Sequence, residues 1–322
     1  METLLLVLTI IFGSLLFLLE VVKPIVVGFI VGKILYKKHL VREHPEDWGR
    51  NRCSDPTNHE QMIMWNDGLK WGEDNKEFCQ PVDIMSDGLH LFGEYYDFKK
   101  DKTVIIVPGR TETLQYSYYF ARPYKKIGFN ILVIDKRAHG WSEGKYEDAG
   151  QYSHVDLLNW CKFLHEKFNV NEITLHGICI GGSTCTFAFA SKDAPDYLKR
   201  MVVDGLFATF YETFKNHMIE QRRSVFPYCH TTMFWAKHYT KADLTHNGPR
   251  YLMKNITKPV LFLYSKQDVF STPDQANELY SKCASNKKEL VWFDKGCHSH
   301  ILINNPLKYQ ESIDKFMKET SN

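Results

Sequence analysis

The sequence predicts an α/β fold with a mostly parallel, doubly wound sheet, and three observations predict it. Short apolar runs rich in β-branched residues recur along the chain: Thr103 to Val107, Ile131 to Ile134, Ile173 to Leu175, Met201 to Val203, Val260 to Tyr264 and Glu289 to Phe293. Continuous runs of this kind are strands covered on both faces, as in a parallel sheet. Segments of helical period separate them; from His154 to Phe168 the residues Leu157, Leu158, Cys161, Leu164 and Phe168 are spaced for one buried face. From Thr103 to Asp135 the order is strand, helix, strand, and such βαβ units wind a parallel sheet.

Composition narrows the function classes. The 322 residues suffice for one large domain or two small ones with a substantial core. A net charge of +2 gives no reason to expect a nucleic-acid surface or a strongly acidic substrate. Eight cysteines are scattered without CxxC pairs, which reads as reduced thiols facing the cytosol, with a disulfide framework as the alternative that an even count keeps open. No cofactor is expected.

The chain opens with an uncharged apolar run, Thr3 to Leu19, and a second apolar piece continues from Ile25 to Leu35 beyond Glu20, Lys23 and Pro24. The first run is near the lower limit of a spanning helix, ~17 residues, so residues 1–38 are predicted to form a transmembrane anchor; the second piece either lengthens it or lies along the interface. A cleaved signal peptide fits less well, because no basic residue precedes the run and no small-residue cleavage site follows it. Lys23, Lys33, Lys37, Lys38 and Arg42 all follow it, which places the remainder of the chain in the cytoplasm.

Residues 39–78 read as a linker and a packing helix with Trp48, Trp65 and Trp71, and residues 79–322 as the main domain. Two alternating segments around Asp87-Gly88 predict a β-hairpin. The strand at Thr103 ends in Pro108-Gly109-Arg110-Thr111, and a helix is expected from Leu114 to Ile127. Residues 207–255 break the rhythm and are rich in aromatics and histidines, as in a lid inserted over a site; an ordinary helical excursion is the alternative. Helices near Pro273 to Cys283 and Pro306 to Met317 complete the pattern.

The stretch Ile173 to Thr184 carries the chemistry. An apolar strand stops at Gly177, Cys179 sits between the flanking Gly177 and Gly181, and a helix of small residues begins. That is the strand-turn-helix layout of a G-x-S-x-G nucleophile elbow, with Cys179 in the serine slot. The turn forces the central residue into a strained conformation, and side chains at 177 or 181 would collide with the neighbouring strand or helix. Cys179 then stands at the carboxyl end of the sheet, where a helix dipole favours a thiolate. A buried structural cysteine is the alternative, so its partners decide.

Asp268 follows the strand ending at Tyr264, and His298 follows the strand ending at Phe293, giving nucleophile, acid and histidine in that order at three strand ends. Asp204 also ends a strand, but the length from Asp268 to His298 fits one helix and one strand better. His300 lies two residues past His298, and with Cys297 it superficially resembles metal ligands; no second ligand cluster has zinc-type spacing, so no metal is expected. Asp135, Arg137, His139 and Ser142 read as a loop-bracing network.

These motifs resemble the α/β-hydrolase superfamily over residues 78–320, most closely its serine aminopeptidase-like and prolyl-oligopeptidase-like esterase group. The marks are Gly177-Ile178-Cys179-Ile180-Gly181, the Asp135-x-Arg137-x-His139-Gly140-x-Ser142-x-Gly144 strand end, Gln267-Asp268 followed by Pro273, and Gly296-x-His298. The resemblance implies a Cys179, His298 and Asp268 triad, and an oxyanion hole from the backbone N–H groups of Ile180 and Arg110. Relatives usually begin that loop with His-Gly, where this chain has Pro108-Gly109, leaving Arg110 at the mouth to pair with a substrate carboxylate or Glu112, or to lie on the surface.

Serine is the rule in the esterase and peptidase branches. Gly-x-Cys-x-Gly-Gly is also similar to the elbow of dienelactone hydrolases and of polyhydroxyalkanoate synthases, which carry their chain as a thioester. Three readings follow: a membrane-anchored thiol hydrolase acting on an ester, thioester or lactone of an apolar acyl group; an acyltransferase of the same fold; and a non-catalytic member of the fold. An intact acid and histidine beside the substituted nucleophile favour the first.

Overall fold

A computed structural model describes residues 1–321. Its centre is a sheet of eight strands: β1 (Cys79–Ser86), β2 (Leu89–Tyr96), β3 (Lys102–Val107), β4 (Asn130–Ile134), β5 (Glu172–Ile178), β6 (Leu198–Asp204), β7 (Val260–Ser265) and β8 (Lys288–Phe293). They lie in the order β1-β2-β4-β3-β5-β6-β7-β8. The β1–β2 hairpin turns through Asp87 and Gly88, both at positive φ, as a two-residue turn matching strand twist requires. Strand β2 meets β4 antiparallel, and from β4 onward all pairs are parallel.

The apolar runs are explained by helices on both faces. Every residue of β4 and β7 is buried. Ile105 and Val107 face one layer, with Leu157, Trp160 and Leu164 of a helix at His154–Phe168. Val104 and Ile106 face the other, with Met64 and Trp71 of a helix at His59–Asp74, Phe120 and Tyr124 of one at Leu114–Lys126, and Tyr309, Ile313 and Phe316 of the last helix, Pro306–Thr320. The segment ahead of residue 59 is also tied in: Arg50 pairs with Asp135 at 2.7 Å and with Glu94 at 3.1 Å.

A third apolar cluster lies above the carboxyl ends of the strands. It joins helices at Phe210–Glu220 and Tyr228–Thr240, within the insertion between β6 and β7, to Leu35, Tyr36 and Leu40 of the N-terminal helix. That N-terminal helix, α1, runs from Glu2 to Leu40. The second apolar piece therefore lengthens the first, through a π-helical stretch at Leu18–Val22 that adjoins Pro24, where an α-helical N–H is missing. No residue of its first half is buried, whereas its second half is packed on the insertion.

Candidate active site

The elbow is built by local sequence. Cys179 has φ 52° and ψ −116°, a region non-glycine residues rarely enter. Its N–H donates to the Asp204 carbonyl at 2.9 Å, and its own carbonyl accepts from Gly182 N–H at 3.0 Å. A Cβ at Gly177 would lie 2.5 Å from the Gly181 carbonyl oxygen, and one at Gly181 would lie 2.2 Å from that of Val107. Both contacts are with backbone, so neither glycine can take a side chain while the turn keeps its shape.

The loops after β7 and β8 bring Asp268 and His298 together. Asp268 Oδ2 is 2.7 Å from His298 Nδ1, while Oδ1 accepts from the N–H groups of Phe270 and Ser271, each at 2.8 Å. Gly205, at φ 64°, leaves room for the imidazole; a Cβ there would approach its Cε1 to 3.1 Å. Phe270 places its ring edge-on to the histidine at 5.6 Å. His298 Nε2 is buried and has no hydrogen-bond partner among the described residues. Burial opposes the imidazolium, but the Asp268 carboxylate and then Cys179 outweigh it and hold His298 well above the usual histidine range. Cys179 is thus the second group, after Asp268, that favours the charged imidazole.

Asp204 has a different place. Its Oδ2 accepts from the Tyr309 hydroxyl at 2.8 Å, which is also 3.2 Å from His176 Nε2, and burial pushes its pKa up to about 7. His300 likewise turns away, with Nε2 2.8 Å from Gln61 Oε1 and Nδ1 3.1 Å from Cys297 Sγ. The donor atoms of Glu60, Cys297 and His300 all lie within 4.8 Å of one another, a grouping among the described residues that could hold a metal ion. Spacing did not reveal this set, because Glu60 arrives from the distant helix His59–Asp74.

The loop after β3 explains the long motif after β4. Gly109 N–H donates to Glu112 Oε2 at 3.0 Å, Thr111 N–H to His139 Nε2 at 3.2 Å, and Leu114 N–H to Asp135 Oδ1 at 2.9 Å. Asp135 is held in turn by Trp141 N–H and by Arg50, and the Ser142 hydroxyl donates to the Asp135 carbonyl at 2.7 Å. Arg137 is bidentate to Asp156, 2.7 Å for each bond. With its neighbours tied, the Arg110 N–H has no acceptor, and neither has the Ile180 N–H, among the described residues. Burial raises the Glu112 carboxyl to about 7 despite the bonds it accepts from Gln61 and Gly109.

The Arg110 side chain does not pair with Glu112 and is only partly buried. Its Nη1 donates to His39 Nδ1 at 3.3 Å and lies 3.5 Å from the His39 carbonyl. Both residues line a cavity of about 100 Å³, partly open to solvent, with Cys179, Ile180, Phe207, Phe210, Phe214 and His217. His217 stacks on Phe270 at 3.7 Å, and burial, then Arg110 and His298, hold its pKa down at about 3. Sequence reasoning missed His39 and His217; nothing in the pattern of an apolar helix marks one residue of its last turn as a cavity wall. The insertion covers the site with Phe207, Phe210 and Phe214, while Phe226 and Phe234 point outward.

A family profile described as the alpha/beta hydrolase fold matches residues 102–228. The chain is 28% identical over 217 residues to the uncharacterized protein YqkD of Bacillus subtilis, covering 67% of this chain and 70% of that one. Among solved structures it is similar to the Pyrococcus furiosus esterase Pf2001, at 22% identity and TM-score 0.64 over 77% of this chain and 95% of that one. It is also similar to the alpha/beta hydrolase GrgF from Penicillium, at 15% identity and TM-score 0.61 over 75% of this chain and 98% of that one. The protein has the α/β-hydrolase fold, with a mostly parallel sheet.

Proposed function

We propose that this protein is a membrane-anchored hydrolase that cleaves an ester, thioester or lactone through Cys179, His298 and Asp268 by way of an acyl-enzyme. The observation that carries the reading is the imidazole of His298. It is fixed by Asp268 at 2.7 Å on one nitrogen and left without a partner on the other, beside the thiol of a strained elbow.

In the first half-reaction the thiol proton of Cys179 is held on His298 Nε2, and the thiolate sulfur adds to the acyl carbon. The N–H groups of Arg110 and Ile180 receive the oxyanion, a contribution of about 10²–10³ in rate per donor. Collapse expels the leaving oxygen or sulfur, which takes the proton back from His298. Water then yields a proton to His298 as its oxygen adds to the thioester carbon, and a second collapse releases the acid and restores the thiol. Asp268 keeps Nδ1 protonated throughout. Phe207, Phe210 and Phe214 form an apolar wall suited to an acyl chain.

Anchoring rests on the first half of α1, which buries nothing and exposes Leu4, Leu5, Leu8, Ile11 and Phe12. With 39 residues, α1 is roughly twice as long as a bilayer core is thick at about 1.5 Å per residue. Its first half spans and its second half stands on the cytoplasmic side with the basic residues.

The test is intact-mass spectrometry after exposure to p-nitrophenyl esters and acyl thioesters, with Cys179→Ser, Cys179→Ala and His298→Ala alongside. An adduct on Cys179 that requires His298 and decays in water is the expected result. Decay only on addition of an alcohol or amine would replace hydrolysis by transfer. A folded protein that takes no acyl group from any donor would sink the assignment.

A further inference from the structure

We infer that the acyl substrate carries an anionic group, a phosphate or a carboxylate, on its leaving side, and that the Arg110 guanidinium binds it. This rests on the assignment of Cys179 as the nucleophile and names the class of compound that would reach it.

Arg110 is a cation without a counter-ion. Nη1 is engaged by His39, an acceptor that adds no negative charge, and the remaining donors of the fork have no partner among the described residues. The groups that favour its charge are Cys179, when ionised, and then Glu147 and Glu112; the thiolate is consumed on acylation, and both carboxylates are committed elsewhere. Glu147 pairs with Lys136 at 2.7 Å, and Glu112 accepts from Gly109 N–H and Gln61. Lys38 and Arg223 add further positive charge near His39. Burial disfavours the guanidinium charge, and a partly desolvated cation with open donors is stabilised by an anion, which the planar fork binds bidentately.

The position fits the leaving side. Arg110 and His39 form the partition between the inner cavity at Cys179 and an outer, open groove lined by Lys38, Arg52 and Asp47. The inner cavity is apolar toward Phe207, Phe210 and Phe214, where an acyl chain would lie. The polar end is at Arg110, whose backbone N–H belongs to the loop that faces the reacting carbonyl. A leaving group passing Arg110 toward the groove meets two further cations and one carboxylate.

The test is binding of ether analogues, which need no turnover, to the full chain in neutral detergent micelles. The matched pair is a 1-alkylglycerol phosphate and the corresponding 1-alkylglycerol, each in a long-chain and a short-chain form. Wild-type protein is expected to bind the phosphate about tenfold or more tightly, with the preference falling toward unity in Arg110→Gln and partly kept in Arg110→Lys. The short-chain pair distinguishes a soluble anionic ester, where it shows the same preference, from a lipid headgroup, where only the long-chain pair does. Equal affinity of wild type for phosphate and alcohol, or a preference unchanged in Arg110→Gln, would overturn the inference. Loss of the Cys179 adduct with this preference intact would instead condemn the catalytic reading alone.

Discussion

The Thr231 hydroxyl donates a 2.8 Å hydrogen bond to the Gly28 carbonyl, joining the N-terminal helix to a helix of the insertion. The approach depends on small residues: a Cβ on Gly32 would lie 2.2 Å from Thr231 Oγ1, and one on Gly28 would lie 2.5 Å from Pro227 Cγ. Around this contact Phe29 meets Phe234 edge-on at 5.2 Å, and Trp235 Nε1 donates to the Phe29 carbonyl at 2.8 Å. The helix proposed to be the anchor is therefore also a wall of the lid, and through His39 of the cavity itself.

Deleting residues 1–22 and deleting residues 1–41 are accordingly expected to differ. The shorter deletion removes only the part of the helix that buries nothing, and should move the protein from the membrane to the soluble fraction with its melting temperature and acylation rate retained. The longer one removes Leu35, Tyr36, Leu40 and His39 from their contacts, and should lower the melting temperature, expose apolar surface to a fluorescent dye and slow acylation. Equal behaviour of the two in thermal melts and acylation assays would contradict this division.

Gly32→Val tests the same contact at one residue. The added side chain meets both the side chain and the backbone of Thr231, so relief requires a helix to shift. A loss of about 1–3 kcal/mol is expected, recovered in part by Thr231→Ala, as a double-mutant cycle in denaturant would show.

Asp268→Asn retains the shape of the acid turn but cannot stabilise the imidazolium, and its amide favours the wrong histidine tautomer. By the precedent of acid-to-amide changes in such triads, kcat falls about 10³–10⁴-fold, with KM little altered. Single-turnover acylation would register the loss in the first step. A variant within about twofold of wild type would remove Asp268 from the site.

Asp204 gives a signed pH dependence. Its folded-state pKa is raised to about 7, so the unfolded chain surrenders this proton first and stability falls as pH rises from about 4 to about 7. Asp204→Asn keeps an acceptor for Tyr309 and removes the titration. The stability of the variant relative to wild type should therefore increase between about pH 5 and about pH 8, by up to roughly 3 kcal/mol. Denaturant titrations at the two pH values measure it; a difference that is flat or of opposite sign would show that the carboxyl is ionised in the folded state well below neutrality.

The sheet, the order of its motifs and the elbow are legible in the chain alone. Strands buried on both faces leave continuous apolar runs, and a turn in which a Cβ on either flanking residue would meet backbone at 2.2 Å or 2.5 Å admits only glycine there, so both leave marks within a few residues. The length of chain between acid and histidine favours Asp268 over Asp204, and Asp268 lies 2.7 Å from His298. What the N-terminal helix touches, why Arg110 faces His39 and not Glu112, and which residues close the cavity emerge from the folded arrangement. Those facts depend on how two helices far apart in sequence meet. A glycine that lets Thr231 approach looks, in an apolar helix, like any other glycine, and a histidine at its end is placed in the site by packing alone.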